Sequence, residues 1–216
     1  MKRLFASVIS CVLILSVICS GLTVFATTIT GAVDTDNFVR GVDVSTLDML
    51  EDLGARYYQN NVESDALTIL KNNGANYVRL KLWVDPYDEN GNPYGGGNND
   101  YATTLALARR AKNLGMGVLI DFHLSDFWTD PANQIKPKAW KDLSYSELKT
   151  TLYNYMKDTL NNFAAAGIVP EMVQVGNEIS TGILHDDGKV GNGNEDFSNL
   201  AGLLESCLLY TSDAAD

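Results

Sequence analysis

Little in this chain could build a cofactor site or a covalent brace. Cysteine occurs three times and histidine twice in 216 residues. Cys11 and Cys19 fall in an N-terminal segment of the export type, leaving Cys207 without a partner. No disulfide framework is therefore available, and the fold must be held by its core. His123 and His185 stand far apart, and no Cys/His cluster has metal-ligand spacing, so no metal and no cofactor is expected. Basic residues are scarce as well, 16 against 27 acidic ones. That balance excludes nucleic acid as a partner, because phosphate contacts need a basic face. It suits a soluble exported protein that meets a neutral ligand.

Long apolar runs are also missing. The longest, residues 4–17, is short for a membrane span and is broken by Ser7, Ser10 and Ser16, with Ser20 just beyond it. Lys2 and Arg3 precede it and Val24-Phe25-Ala26 follows, the three parts of a secretory signal. Cleavage is expected after Ala26, giving a secreted, extracellular chain with no membrane association after cleavage. A lipoprotein at Cys19 is disfavoured by the bulky Ile18 before it. Loss of Lys2 and Arg3 leaves 14 basic against 27 acidic residues, a net charge of −13. At the other end, the helical pattern over residues 197–205 is abandoned from Cys207 onward. Residues 207–216 are expected to be a non-native tail on a fragment. Residues 27–206 contain no low-complexity linker and read as one domain.

Apolar segments alternate with helical ones. Strands are predicted over residues 38–44, 77–84, 118–122 and 172–176, and helices over 63–72, 101–114 and 145–166, with a further helix opening near 197. Gly74, Gly115 and Gly167 stop the first three helices, and Ser144 with Glu147 suggests a capping box. Strict alternation means a parallel sheet covered by helices, either an open doubly wound sheet or a (β/α)8 barrel. Val44-Ser45-Thr46-Leu47 is not the Gly-rich phosphate turn of the open sheet. The loops leaving the strands, 85–100 and 125–142, are long and polar, whereas those entering them are short. Barrels place their sites on such long loops. The fold class expected is α/β, a (β/α)8 TIM barrel of which this chain covers about the first four βα units.

Side-chain parity supports a polar cavity. In the second strand Val78, Leu80, Leu82 and Val84 share one face, and Arg79, Lys81 and Trp83 the other. The same parity turns Gly41, Asp43 and Ser45 inward from the first strand, and Leu119, Asp121 and His123 from the third. So many charges would ruin a purely structural core, but they fit a barrel mouth that binds something polar. The fourth strand, Val173-Gln174-Val175-Gly176, then ends in Asn177-Glu178. A carboxylate at the open end of a strand is poorly placed for stability and well placed for chemistry.

Gly41-Val42-Asp43-Val44-Ser45, the run from Tyr77 through Trp83 to Pro86, the run Asp121-Phe122-His123-Leu124-Ser125-Asp126-Phe127-Trp128-Thr129-Asp130-Pro131, and Val175-Gly176-Asn177-Glu178 follow one another in order. Together they resemble the glycoside hydrolase family 53 endo-β-1,4-galactanases, over about residues 38–206. The resemblance implies a retaining barrel glycosidase in which Glu178 is the general acid/base, Asn177 contacts the sugar 2-hydroxyl and Arg79 orients the nucleophile. Retention needs two carboxyl groups about 5–5.5 Å apart, one protonating the leaving oxygen and one attacking the anomeric carbon. Asp43, Trp83, Asp121, His123, Asp126 and Trp128 are candidates for substrate binding, with flat indoles stacking on pyranose faces. Trp140 sits in the same loop set. Where the family often carries a Trp-Pro pair after the acid/base, this chain has His185-Asp186, which implies an altered subsite.

The resemblance also says what to look for in vain. The family places its nucleophile at the end of the seventh strand, and Glu195 and Glu205 are not placed to serve. The nucleophile is thus expected to be absent from this chain, and the 216-residue polypeptide to be inactive alone. The partner implied is β-1,4-galactan or arabinogalactan, acted on by a monomer in full-length form. Rival readings are another retaining barrel glycanase, for mannan, cellulose or xylan, and a non-catalytic secreted carbohydrate-binding barrel.

Overall fold

Four parallel strands form the central sheet in a computed structural model that describes residues 38–213, apart from 192 and 194. They are β1 (Gly41–Asp43), β4 (Tyr77–Leu82), β5 (Gly117–Phe122) and β6 (Met172–Val175), adjacent in that order. β1 is followed by two helices, α1 (Leu47–Asp52) and α2 (Ala66–Asn72), and each later strand of the sheet by one: α3 (Tyr101–Asn113), α4 (Tyr145–Ala165) and α5 (Ser198–Asp213). Two small antiparallel ribbons sit in the connections: β2 (Tyr58–Gln59) with β3 (Val62–Glu63), and β7 (Gly182–Ile183) with β8 (Gly188–Lys189). This is the α/β architecture expected, a partial (β/α)8 barrel of four βα units. From Val39 onward the chain forms one compact unit. The expected signal segment, residues 1–26, lies outside the described residues.

The alternation in β4 and β5 explains the layering. Val78, Leu80 and Leu82, with Val118, Ile120 and Phe122, are 0–1% exposed and face the helices. There they meet Leu107, Ala108 and Ala111 of α3 and Leu148, Leu152 and Met156 of α4 in one apolar cluster. At about 25 cal/mol per Å², this burial is the main term holding the layers together. Parallel register then aligns the other parity: Asp43 pairs with Arg79, Lys81 with Asp121, and Asp121 with Gln174. Alternate residues of neighbouring strands therefore stand side by side on the inner face.

Capping follows the sequence closely. Asp65 and Asp100 accept from the backbone N–H groups of Thr68 and Thr103 at 2.7 and 2.8 Å. Ser144 and Glu147 form the reciprocal capping box of α4. The three helix-stopping glycines have φ of 95°, 65° and 79°, the left-handed conformation a helix exit favours.

Several boundaries differ from expectation. The first strand is Gly41–Asp43 rather than 38–44, and Phe38 and Val39 before it are exposed. β4 ends at Leu82 because Trp83 and Val84 donate their N–H groups to the carbonyls of Asn99 and Ser125 instead of to a neighbouring strand. The helix expected from residue 63 begins at Ala66. Glu63 belongs to β3, across a turn whose Asn60 and Asn61 both have positive φ. The helical pattern does not break at Cys207. Leu200, Leu203 and Cys207 follow helical spacing, and Cys207 is fully buried as a small apolar residue.

No helix among the described residues is long and apolar enough to cross a membrane.

Candidate active site

Arg79 is the hub at the carboxyl ends of the four strands. Its Nη1 donates to Asp43 Oδ2 at 2.6 Å, its Nη2 to Asn177 Oδ1 at 2.9 Å and its Nε to Gln174 Oε1 at 3.2 Å. Nη2 also stands 2.5 Å from Asp121 Oδ2. Lys81 places a second cation on Asp43, 2.8 Å from the same oxygen. Two cations thus face two carboxylates, and the cluster balances its own charge. Burial pushes the Asp43 carboxyl up, but hydrogen bonds from Lys81 and Ser45 outweigh it and hold the group below the usual carboxylate range.

Asp121 and His123 are buried beneath this layer. Asp121 Oδ2 lies 2.9 Å from His123 Nε2. His123 Nδ1 accepts the backbone N–H of Thr129 at 3.1 Å. A ring nitrogen that accepts cannot also carry the proton, so Nε2 carries it, close to Asp121 but without hydrogen-bond geometry toward it. Substrate contact was expected of both residues. They are 0% and 1% exposed, and Asp121 lies directly against Arg79.

Trp83 is buried as well: it is 1% exposed and packed against the rings of Phe127 and His123 at 4.9 and 6.2 Å. Asp126 is buried too. Its oxygens accept the backbone N–H groups of Asp85 and Lys138 at 3.1 and 2.8 Å, clamping two long loops together. Trp128 differs, being 44% exposed with Lys81 Nζ 4.6 Å from its ring centroid. It borders a groove of about 840 Å³ whose lining includes Tyr94, Phe127, Ile135 and His185. An open aromatic beside a groove suits the flat face of a ring-shaped ligand.

The strand end that follows β6 is bent by two residues of positive φ. Gly176 has φ 77°, and a Cβ there would fall 2.5 Å from Ile179 Cγ2, so only glycine fits. Asn177 is buried, with Nδ2 donating to the Thr129 carbonyl at 2.6 Å and Oδ1 accepting from Arg79. Both ends of its amide are therefore assigned, and one Nδ2 hydrogen remains for a ligand. Glu178 is left-handed (φ 51°, ψ 49°) and exposed. Its carboxylate caps no helix and makes no hydrogen bond or ion pair with the described residues. Such a group is free to exchange a proton with a bound molecule, whereas Asp43, Asp121 and Asp126 are committed to protein partners.

The structure thus brings Asp43, Arg79, Lys81, Asp121, His123 and Asn177 together, with Trp128 and Glu178 beside them. Sequence reasoning passed over Gln174, Thr129 and Gln134. Gln174 shares the inward parity and could have been found from it. Thr129 and Gln134 act through backbone geometry in an irregular loop, where periodicity carries no signal. Among the described residues no group of three or more His, Cys, Asp or Glu could hold a metal ion.

The model of Glycosyl hydrolase family 53 matches residues 39–213. The chain belongs to this family. It is 48% identical over 147 residues to the Endo-beta-1,4-galactanase of Bacillus subtilis (strain 168), covering 68% of this chain and 34% of that protein. The Arabinogalactan endo-beta-1,4-galactanase of Humicola insolens is 42% identical over 176 residues, covering 81% and 49% respectively. The solved GH53 catalytic domain of Ignisphaera aggregans superposes with a TM-score of 0.76 at 48% identity, covering 82% of this chain and 48% of that one. The chain therefore spans between about a third and a half of the length of these relatives.

Proposed function

We propose that the whole protein is a secreted, endo-acting retaining glycoside hydrolase that cleaves β-1,4-galactosidic bonds in the (arabino)galactan side chains of pectin. Glu178 is its general acid/base, Asn177 its contact to the sugar 2-hydroxyl and Arg79 the residue that orients its nucleophile. The observation that carries this reading is the isolation of Glu178. It is the exposed, unpartnered carboxylate at a strand end where the neighbouring acids are all paired. The names of the B. subtilis and H. insolens relatives supply the substrate class.

In this reading Glu178 delivers its proton to the glycosidic oxygen as the bond breaks. The nucleophile, a second carboxylate on a later strand of the barrel, takes the anomeric carbon, and Glu178 then removes a proton from the incoming water. Asp43 and Asp121 are unsuited to the attack, because Arg79 and Lys81 hold their charge. The 216-residue chain is accordingly inactive alone. Trp128 is the best-exposed platform for a galactose ring, and the partner is a neutral polysaccharide met by a monomer outside the cell.

Reducing-sugar release by the whole protein on β-1,4-galactan, mannan, cellulose and xylan tests the proposal, with NMR of the first-formed anomer. Galactan should be cleaved with retention and the other three spared. Comparable cleavage of mannan, cellulose or xylan would favour another glycanase. Binding of galactan without hydrolysis would favour the silent carbohydrate-binding barrel.

A further inference from the structure

We propose that Gln134 is a positioning residue for Glu178, holding the Asn177–Glu178 peptide in the orientation from which the carboxylate meets the leaving oxygen. The inference rests on reading Glu178 as the acid/base. Gln134 is 2% exposed and lies in the loop after β5, far in sequence from the strand end it serves. Its Nε2 donates to the Asn177 carbonyl at 2.8 Å and to the Asp130 carbonyl at 3.1 Å, and lies 3.5 Å from the Glu178 carbonyl. A side-chain amide spent on backbone oxygens of two distant segments is a cross-link, and its location decides what it controls.

The Asn177 carbonyl belongs to the peptide plane that sets ψ of Asn177 and φ of Glu178. Glu178 has φ 51°, a conformation an L-residue with a long side chain avoids unless its surroundings impose it. Rotation of that peptide is the direct way to relax the strain, and it would swing the Glu178 side chain away. Gln134 opposes the rotation by holding the oxygen. The same loop grips Asn177 a second time, since the Thr129 carbonyl accepts Asn177 Nδ2 at 2.6 Å. The grip is anchored in turn by Asp130, whose Oδ1 accepts the N–H groups of Ala132 and Asn133 at 2.7 and 2.9 Å. The loop is therefore braced on one side and clasps Asn177–Glu178 on the other.

The test compares two substrates in the whole enzyme. Galactan needs acid help for its poor leaving group, whereas a 2,4-dinitrophenyl β-galactobioside does not. Gln134→Leu keeps the volume and removes the donor. It should lower kcat/KM on galactan about 10- to 100-fold, and leave kcat/KM on the dinitrophenyl substrate within about threefold of wild type. Azide, which needs no base to attack, should raise its kcat on the activated substrate. Equal losses on both substrates, or no loss on galactan, would overturn the proposal.

If Gln134→Leu does not melt as a folded protein, Gln134→Glu carries the test. Its protonated carboxyl can donate to the Asn177 carbonyl and its carboxylate cannot. Galactan activity should then show a second fall as pH rises through that titration, added to the basic limb that Glu178 as general acid gives the wild-type enzyme. Failure of both variants to fold would mark Gln134 as a structural cross-link only and refute the idea. Glu178→Ala run in parallel separates the two readings. A leaving-group-dependent defect in Glu178→Ala but not in the Gln134 variants sinks this inference alone. Its absence in Glu178→Ala removes the acid/base assignment and brings the inference down with it.

Discussion

Replacing Arg79 with Met in the whole protein removes the hub cation while keeping most of its length. Asp121, which is 0% exposed, then loses its nearest cation at 2.5 Å and is left facing only His123. Breaking a buried ion pair from one side costs about 3–5 kcal/mol, because the remaining charge stays buried without compensation. The Asp43 contact adds little, since its side chain is 31% exposed and keeps Lys81. The lost donor to buried Asn177 Oδ1 adds about 1 kcal/mol. The loss sums to about 4–6 kcal/mol, and with a urea m-value of about 2 kcal/mol/M the midpoint should fall by roughly 2–3 M. The decisive arm is the double variant Arg79→Met with Asp121→Asn. Neutralising the stranded carboxylate should restore at least about half of the loss, whereas Asp43→Asn in the same background should restore almost none. A single-variant loss under about 1 kcal/mol, or no recovery with Asp121→Asn, would refute the claim that Arg79 chiefly compensates Asp121.

Three further outcomes are expected. Asp43 is held below its usual carboxyl range in the fold, so its contribution is complete above its unfolded pKa of about 4 and is lost as pH falls through the lower folded value. Urea melts between pH 2 and 6 should show the gap between wild type and Asp43→Asn closing at the acid end, and a constant gap would contradict this. Trp128→Ala should raise KM for galactan about tenfold with little change in kcat, as loss of one stacking face implies, and its melting temperature should stay near wild type because the ring is 44% exposed. Burial pushes the Cys207 thiol up to about 12. Labelling of Cys207 by a disulfide reagent at pH 8 should therefore be at least about 100-fold slower in native buffer than in urea, and equal rates would mean that α5 does not dock as described.

How far the sequence alone reached depended on whether a residue sat in a periodic segment. The alternation of Val78, Arg79, Leu80, Lys81 and Leu82 announced both the strand and the face on which the charged cluster would meet, because strand parity is a local property. The capping box at Ser144 and Glu147 was legible for the same reason. The hairpin at Asn60-Asn61 was missed because its strands are two residues each and carry no pattern. Exposure was the harder quantity. Trp83, Asp121, His123 and Asp126 all lie where the motifs put them, but their burial was not legible, since depth within a loop-covered mouth depends on how distant segments fold over it. Thr129 and Gln134 act from an irregular loop, the first holding the Asn177 side-chain amide and the second its backbone carbonyl, an arrangement that no spacing rule encodes. The end of α5 was misread because Cys207 behaves as an apolar residue once helical spacing places it against the core.

The central claim is that Glu178, isolated while its neighbours are paired, carries the proton in galactan cleavage. Initial rates of reducing-end release from β-1,4-galactan by the whole protein and by its Glu178→Gln variant, at equal folded concentration, test it most directly. A fall of at least about 100-fold on this near-isosteric change is predicted, with substrate still bound. Activity within a few fold of wild type would contradict the account and send the search for the acid to another strand.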